Sequence, residues 1–148
     1  MAETEETLTA IRAVYRSLQD HDQEGVRSLL DPDAVLSLAA TEEVFEGDVA
    51  IAAYLWATVD AFPDLRHEII SLFGDGELGV IELVRIGTHT RPLRLLNHSF
   101  GPTGRSVRLS SCVVFRVREG KVTAMSVHTD RLAEIEQLGL PERPFEAR

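Results

Sequence analysis

Glu119-Gly120 sits between two runs in which apolar residues recur at every second position. Arg105 to Arg118 reads as one long strand and Lys121 to Thr129 as its partner, closed by a hairpin turn. Leu78 to Thr90 is a further strand. Gly74-Asp75-Gly76 is the turn before it, and ahead of that Leu65, His67, Ile69 and Ser71 alternate with Arg66, Glu68 and Ile70. Pro92 to Gly104 is less regular and ends in a loop by composition, Gly101-Pro102-Thr103-Gly104. The latter half of the chain is therefore committed to antiparallel strands.

Helical spacing dominates the first half. Leu8, Ile11, Val14, Tyr15 and Leu18 fall on one stripe, and Thr4 is a suitable cap. Asp20-His21-Asp22 ends that helix. A short second helix covers about Glu24 to Leu30 and stops at Asp31-Pro32-Asp33. Ala34 to Ala39 is a short apolar strand. Asp48 is expected to cap a third helix running to about Ala61, which Pro63 breaks. After the last strand, Asp130 caps a closing helix, Arg131 to Leu138, with Gly139 as its stop.

Helices grouped ahead of antiparallel strands argue for α+β rather than alternating α/β. Such a sheet must curl over the helices to bury both apolar surfaces. The expected fold is α+β: a cone-shaped, curved, mostly antiparallel sheet packed on three helices, with a ligand cavity at the open mouth. With 148 residues, 44% of them hydrophobic, the chain suits one domain over 1–148 with its core at about 8–140.

Charge and cysteine content narrow the partners. The net charge of −9 repels phosphate backbones and anionic lipid, so neither nucleic acid nor a membrane surface is an expected partner. Cys112 is the only cysteine, which excludes a disulfide framework. Residues 1–7 lack the basic start and apolar stretch of a secretory signal, so a cytoplasmic location is expected. His21, His67, His89, His98 and His128 show no close metal-ligand spacing, and no metal is expected.

Four short motifs occur in order along the chain. They are Ala61-Phe62-Pro63-Asp64-Leu65-Arg66-His67-Glu68, Gly87-Thr88-His89-Thr90, Pro102-Thr103-Gly104-Arg105, and Phe115-Arg116-Val117 before Glu119-Gly120-Lys121-Val122. Together they resemble the SnoaL-like polyketide cyclase family of the nuclear transport factor 2-like superfamily, and the resemblance covers Leu8 to Leu140. It implies the nuclear transport factor 2-like, or cystatin-like, roll and a homodimer. It also implies cofactor-free ring closure of a polyketide ester, in which a pocket carboxylate acts as acid/base and polar groups hold the enolate.

The departures from that family are as informative. Anchored on Gly120-Lys121, the family's acidic residue falls on Val127, which is also the acid position of the superfamily's epoxide hydrolases. The family's cavity histidine falls on Val113, and the base of the steroid isomerases falls near Leu38. None of the three can move a proton, unless a one-residue bulge alters the register.

By the same register Leu65, His67, Ile69 and Ser71 face the cavity, with Ser111, Val113, Phe115 and Val117, and with Thr123, Met125, Val127 and Thr129. His67 reads either as a core histidine with one satisfied hydrogen bond or as the cavity's base, being the one inward group that titrates near neutral pH. His89 reads as a strand-end residue bonded to the following loop or as a donor at the mouth. Arg85 either points inward, to bind a carboxylate or enolate oxygen, or outward, as a surface charge paired with Glu82 or another acid. Tyr15 is a polar anchor, and Trp56 is an aromatic wall residue, on helices that close the cone. His128 and Asp130 resemble an acid–base pair, but alternation turns His128 outward and Asp130 suits a helix cap.

These readings give a cyclase or isomerase for a small hydrophobic, polyketide-like intermediate. It works by aldol-type acid/base chemistry through His67, Tyr15, Arg85 and His89, or by shape-driven cyclisation. Trp56, Leu65, Ile69, Ser111, Val113, Phe115, Met125 and Val127 are the expected substrate contacts. The competing class is a non-catalytic module that holds a small ligand or serves as a dimeric partner. Epoxide hydrolase and ketosteroid isomerase chemistry rank behind both.

Overall fold

In the computed structural model, residues 2–95 and 98–140 are described. Helices α1 (Ala2–Gln19) and α2 (Gln23–Leu29) lead into strands β1 (Leu30–Leu38) and β2 (Val44–Glu46), then α3 (Asp48–Ala61). Strands β3 (Arg66–Asp75), β4 (Leu78–Thr88), β5 (Leu93–Leu95), β6 (His98–Phe100), β7 (Ser106–Arg118) and β8 (Lys121–Thr129) follow, and α4 (Arg131–Leu138) ends the described fold. One sheet runs β2-β1-β8-β7-β4-β3, and β5 and β6 form a separate antiparallel pair within the segment read as irregular. Every neighbour in the large sheet is antiparallel except β1 on β8. The fold is the expected α+β curved sheet with helices over its inner face, and a fourth helix stands at the mouth.

Apolar spacing explains the packing. Ile11, Val14, Tyr15 and Leu18 of α1 are buried in the same core as Ile81, Val113 and Phe115 of the sheet. Each such side chain contributes roughly 1.5–3 kcal/mol by leaving water. Gly79 lets α1 lie this close, because a Cβ there would stand 2.4 Å from Ile11 Cδ1. The β7–β8 turn places Glu119 at φ 52° and Gly120 at φ 77°, the paired left-handed conformation that suits a two-residue hairpin.

Two expected caps are corrected. Helix α1 already begins at Ala2, so Thr4 lies inside it, where its Oγ1 accepts the Gly76 N–H at 2.9 Å. Gly47, not Asp48, precedes α3, and Asp48 instead pairs with Arg27 at 3.3 Å.

Two bulges correct the inward set. The β3–β4 register shifts between Ile69 and Ser71. Beyond the shift Leu72 pairs with inward Ile81, so Ser71 turns outward and donates to Glu82 at 3.1 Å. The β7–β8 register shifts between Arg116 and Val117, which leaves Thr123 without a strand partner. Its hydroxyl donates to the Arg116 carbonyl, and Val122 is buried in its place.

Candidate active site

The inner face of β3, β4, β7 and β8 and the helices above it enclose a cavity of about 100 Å³. Its floor is apolar, from Leu65, Leu83, Val113, Met125 and Val127. Tyr15 of α1 and Tyr54 and Thr58 of α3 close it from above, and Asp130, Arg131 and Glu134 form its rim at the start of α4.

His67 and Arg85 are opposite one another in the β3–β4 register and both line the cavity. Burial, and then the neighbouring Arg85 cation, push the His67 imidazole down to about 4. Its Nδ1 is buried without a hydrogen-bond partner among the described residues, so the satisfied core histidine is not what forms. The Tyr15 phenol is buried beside it and its pKa is raised by desolvation, which keeps the hydroxyl protonated.

Arg85 points inward. Its Nη2 donates to Glu134 Oε2 at 2.5 Å, and its guanidinium lies 5.6 Å from the centre of the Phe62 ring. Arg131 Nη1 donates to the other oxygen, Glu134 Oε1, at 2.8 Å. Burial alone would raise the Glu134 pKa, but the two guanidinium groups outweigh it and hold the carboxyl below its ordinary range. Sequence reasoning missed Glu134. Its signal was the helical spacing of Glu134 with Leu138, which turns a carboxylate toward the core, and of Arg131 with Glu134.

Of the other expected wall residues, Leu65, Ser111, Val113, Met125 and Val127 are in place. Three are not. Trp56 is half-buried against the core on a different face of α3 from the wall residues Tyr54, Leu55, Thr58 and Val59. Phe115 is fully buried behind the floor, with its ring centre 6.1 Å from that of Tyr15. Ile69 is 46% exposed and lines a shallow hollow beside α1.

His89 is also outside the cavity wall. It is fully buried, and its Nδ1 accepts the Thr103 N–H at 3.2 Å and lies 3.0 Å from Thr103 Oγ1, tying the β4 end to the loop before β7. His128 is exposed, with Nε2 3.2 Å from Ser126 Oγ. Asp130 caps α4, accepting the Ala133 N–H at 2.9 Å, while lining the cavity rim. No group of three or more potential metal-ligating side chains is gathered among the described residues. No helix among them is long and apolar enough to cross a membrane.

The three positions at which the sequence resemblance leads one to expect an acid, a histidine and a base form one rung. Val113 pairs with Val127 across β7–β8, and Val127 pairs with Leu38 across β8–β1. The SnoaL-like domain model matches residues 11–125.

The chain belongs to the SnoaL-like domain family.

Solved structures agree with that membership at the level of fold. A proposed SnoaL-like polyketide cyclase from Jannaschia sp. CCS1 superposes with a TM-score of 0.84 at 19% identity, over 95% of this chain and 96% of that one. IdmH, a proposed polyketide cyclase from Streptomyces antibioticus, gives 0.74 at 24% identity, over 89% and 97%. An epoxide hydrolase of the LEH-like type from M. tuberculosis gives 0.71 at 20% identity, over 92% and 91%. No curated protein matches the sequence. The neighbours of this SnoaL-like chain thus span cyclase and epoxide hydrolase descriptions on one fold, and the side chains of the cavity must decide its chemistry.

Proposed function

We propose that this SnoaL-like protein is an enzyme that moves a proton at the carbon beside a carbonyl, as a cyclase or isomerase of a small, largely apolar, polyketide-like substrate. The observation that carries the reading is the pairing of His67 with Arg85 in one cavity wall. A neutral imidazole beside a permanent cation supplies both halves of enolate chemistry. His67 takes the proton, and Arg85 draws the electrons toward the carbonyl oxygen. The protonated Tyr15 hydroxyl is a second donor.

Base strength is the test of this reading. A pKa of about 4 makes His67 a weak base. Ketosteroid isomerisation nonetheless runs on a carboxylate base with a pKa near ~4.6, because donors hold the enolate. His67 is therefore strong enough only if Arg85 and Tyr15 take up the developing charge. Size adds a further constraint. The cavity of about 100 Å³ is small but open at the Asp130, Arg131 and Glu134 rim, so a larger substrate seats its reacting part inside and extends through the rim.

The apolar rung of Val113, Val127 and Leu38 favours one alternative, a ligand-holding module without catalysis. Exchange of α-protons of cyclic ketones in deuterated water, followed by NMR, separates the two. Acceleration by the protein that falls 10²–10⁴-fold in His67→Gln supports the enzyme. Ligand binding with no acceleration across a ketone series supports the module.

A further inference from the structure

The α4 end of the cavity holds more cation than its buried carboxylate balances. Arg85 and Arg131 share the single carboxylate of Glu134, and side-chain exposures of 18%, 17% and 5% mark all three as largely withdrawn from water. The rim residue Asp130 carries a second negative charge, but it is exposed, so solvent screens it more than the three withdrawn groups and the excess cation remains inside. Each guanidinium carries five N–H groups. Arg85 commits Nη2 and Arg131 commits Nη1 to Glu134, while Nε of both is buried with no partner among the described residues. Arg131 is also the first residue of α4, where the helix dipole adds positive potential.

We propose that Arg131 and Arg85, held in place by Glu134, form an anion-recognition site, and that the molecule this cavity takes is an acid. Its apolar body lies over Val113, Met125 and Val127, and its carboxylate, or an equally acidic enol, meets the guanidinium groups at the α4 end. One excess positive charge matches a monoanion, and the planar guanidinium fork suits a planar carboxylate better than a phosphate dianion. There is room on both sides of the cluster. Tyr54, Arg131 and Glu134 also line an adjoining hollow of about 470 Å³, whose other walls include apolar Leu38, Phe45 and Leu93 and the oppositely charged Glu43 and Arg94. The inference rests on the cavity being a ligand site, and not on the proton transfer assigned to His67.

The test titrates isotope-labelled protein at pH 7 with benzoate and, as a neutral molecule of the same shape, benzamide, read by NMR. Benzoate is expected to bind at least ten-fold more tightly, with shifts centred on Arg85, Arg131 and Glu134. Arg131→Gln removes the preference, and Glu134→Gln tightens benzoate several-fold. Thermal melts show which variants are folded, and if Glu134→Gln is not, Arg131→Gln decides alone. Equal binding of the two probes, no saturable benzoate binding, or an undiminished preference in folded Arg131→Gln overturns the proposal. A clear benzoate preference with no ketone exchange leaves the anion site standing and removes the proton-transfer reading alone.

Discussion

The imidazole of His67 meets the phenol of Tyr15 edge to face, with ring centroids 5.1 Å apart and planes at 73°. The contact joins the edge strand of the sheet to α1 and withdraws part of the ring from water. A ring so placed loses hydration when it is charged, and Arg85 adds repulsion, so the fold favours the neutral form.

The pH dependence of stability follows from that preference. The folded imidazole titrates at about 4 and an unperturbed one at 6.5, so the unfolded chain binds more protons between those values. This contribution is therefore fully present above pH 6.5 and is lost as pH falls through 6.5 toward 4. The loss at this one group is roughly 3 kcal/mol. The stability lost between neutral pH and pH 4, taken from urea melts, should be greater in wild type than in His67→Gln by about that amount. Identical pH dependence would mean that the imidazole is solvated in the folded chain.

Glu134 has the opposite sign. Its carboxyl is held below its ordinary range, so its contribution is present above the unfolded pKa and is lost as pH falls through the folded one. Removing it leaves two guanidinium groups facing each other in a poorly hydrated site. Glu134→Ala should cost about 3–5 kcal/mol, and Glu134→Gln, which keeps an acceptor oxygen, distinctly less. Chemical denaturation measures both. A cost below about 1 kcal/mol for the alanine variant would show that water screens the cluster.

Asp130 is predicted to be structural despite its place on the rim. It supplies the cap oxygen of α4, and α4 carries Arg131 and Glu134. Asp130→Asn keeps that oxygen and should leave ligand binding and exchange within a few-fold. Asp130→Ala should cost about 0.5–2 kcal/mol. If the asparagine variant folds normally and exchange collapses, Asp130 is an acid in its own right.

The outer face of the sheet carries its own apolar rung. Phe73 pairs with Val80, Val80 with Val114, and Val114 with Ser126, and Phe73 is 60% exposed. A homodimer through this face is expected. Sedimentation at micromolar concentration should report twice the 16.4 kDa chain mass, and Val114→Glu should shift it to monomer. A wild-type chain that sediments as a monomer would refute the interface.

The architecture was legible because each level of pattern agreed. The α1 stripe, the turn at Glu119-Gly120 and the Asp130 cap are local signals, and each lies where the residues put it. The misplaced residues trace to features without a local signature. A bulge gave no warning at Ser71 or Thr123, yet each changed which side chain faces inward. Trp56 was assigned to the wall by residue type, although one helix presents its neighbours Leu55 and Tyr54 there and not the indole. Glu134 was hidden because a carboxylate among Ile135 and Leu138 reads as surface until Arg85, on a strand far back in the sequence, is seen to reach it. The cavity's strongest electrostatic feature is a long-range pairing, and alternation along single strands does not encode it.

The last prediction separates acid/base cyclisation from shape-driven cyclisation. His67→Gln keeps the size and hydrogen bonding of the ring but holds no proton at neutral pH. If proton transfer is the chemistry, it should lower turnover of the ketone probe 10²–10⁴-fold while leaving binding within a few-fold. Val127→Phe does the reverse, because it fills a floor position of a cavity of only about 100 Å³. It should abolish binding at a folding cost of about 1–3 kcal/mol, the usual penalty of overpacking. Val127 is a cleaner probe of shape than Phe115, which is fully buried, so that Phe115→Ala would add about 3–5 kcal/mol of lost core to any effect on the site. Near-normal exchange in His67→Gln would move the proton transfer to another group, whereas ketone binding that is lost in Val127→Phe, with no exchange in the wild type, would leave the contour of the cavity and not the imidazole as what acts on the ligand. Arg85 and Arg131 would then serve to orient the substrate, not to stabilise an enolate.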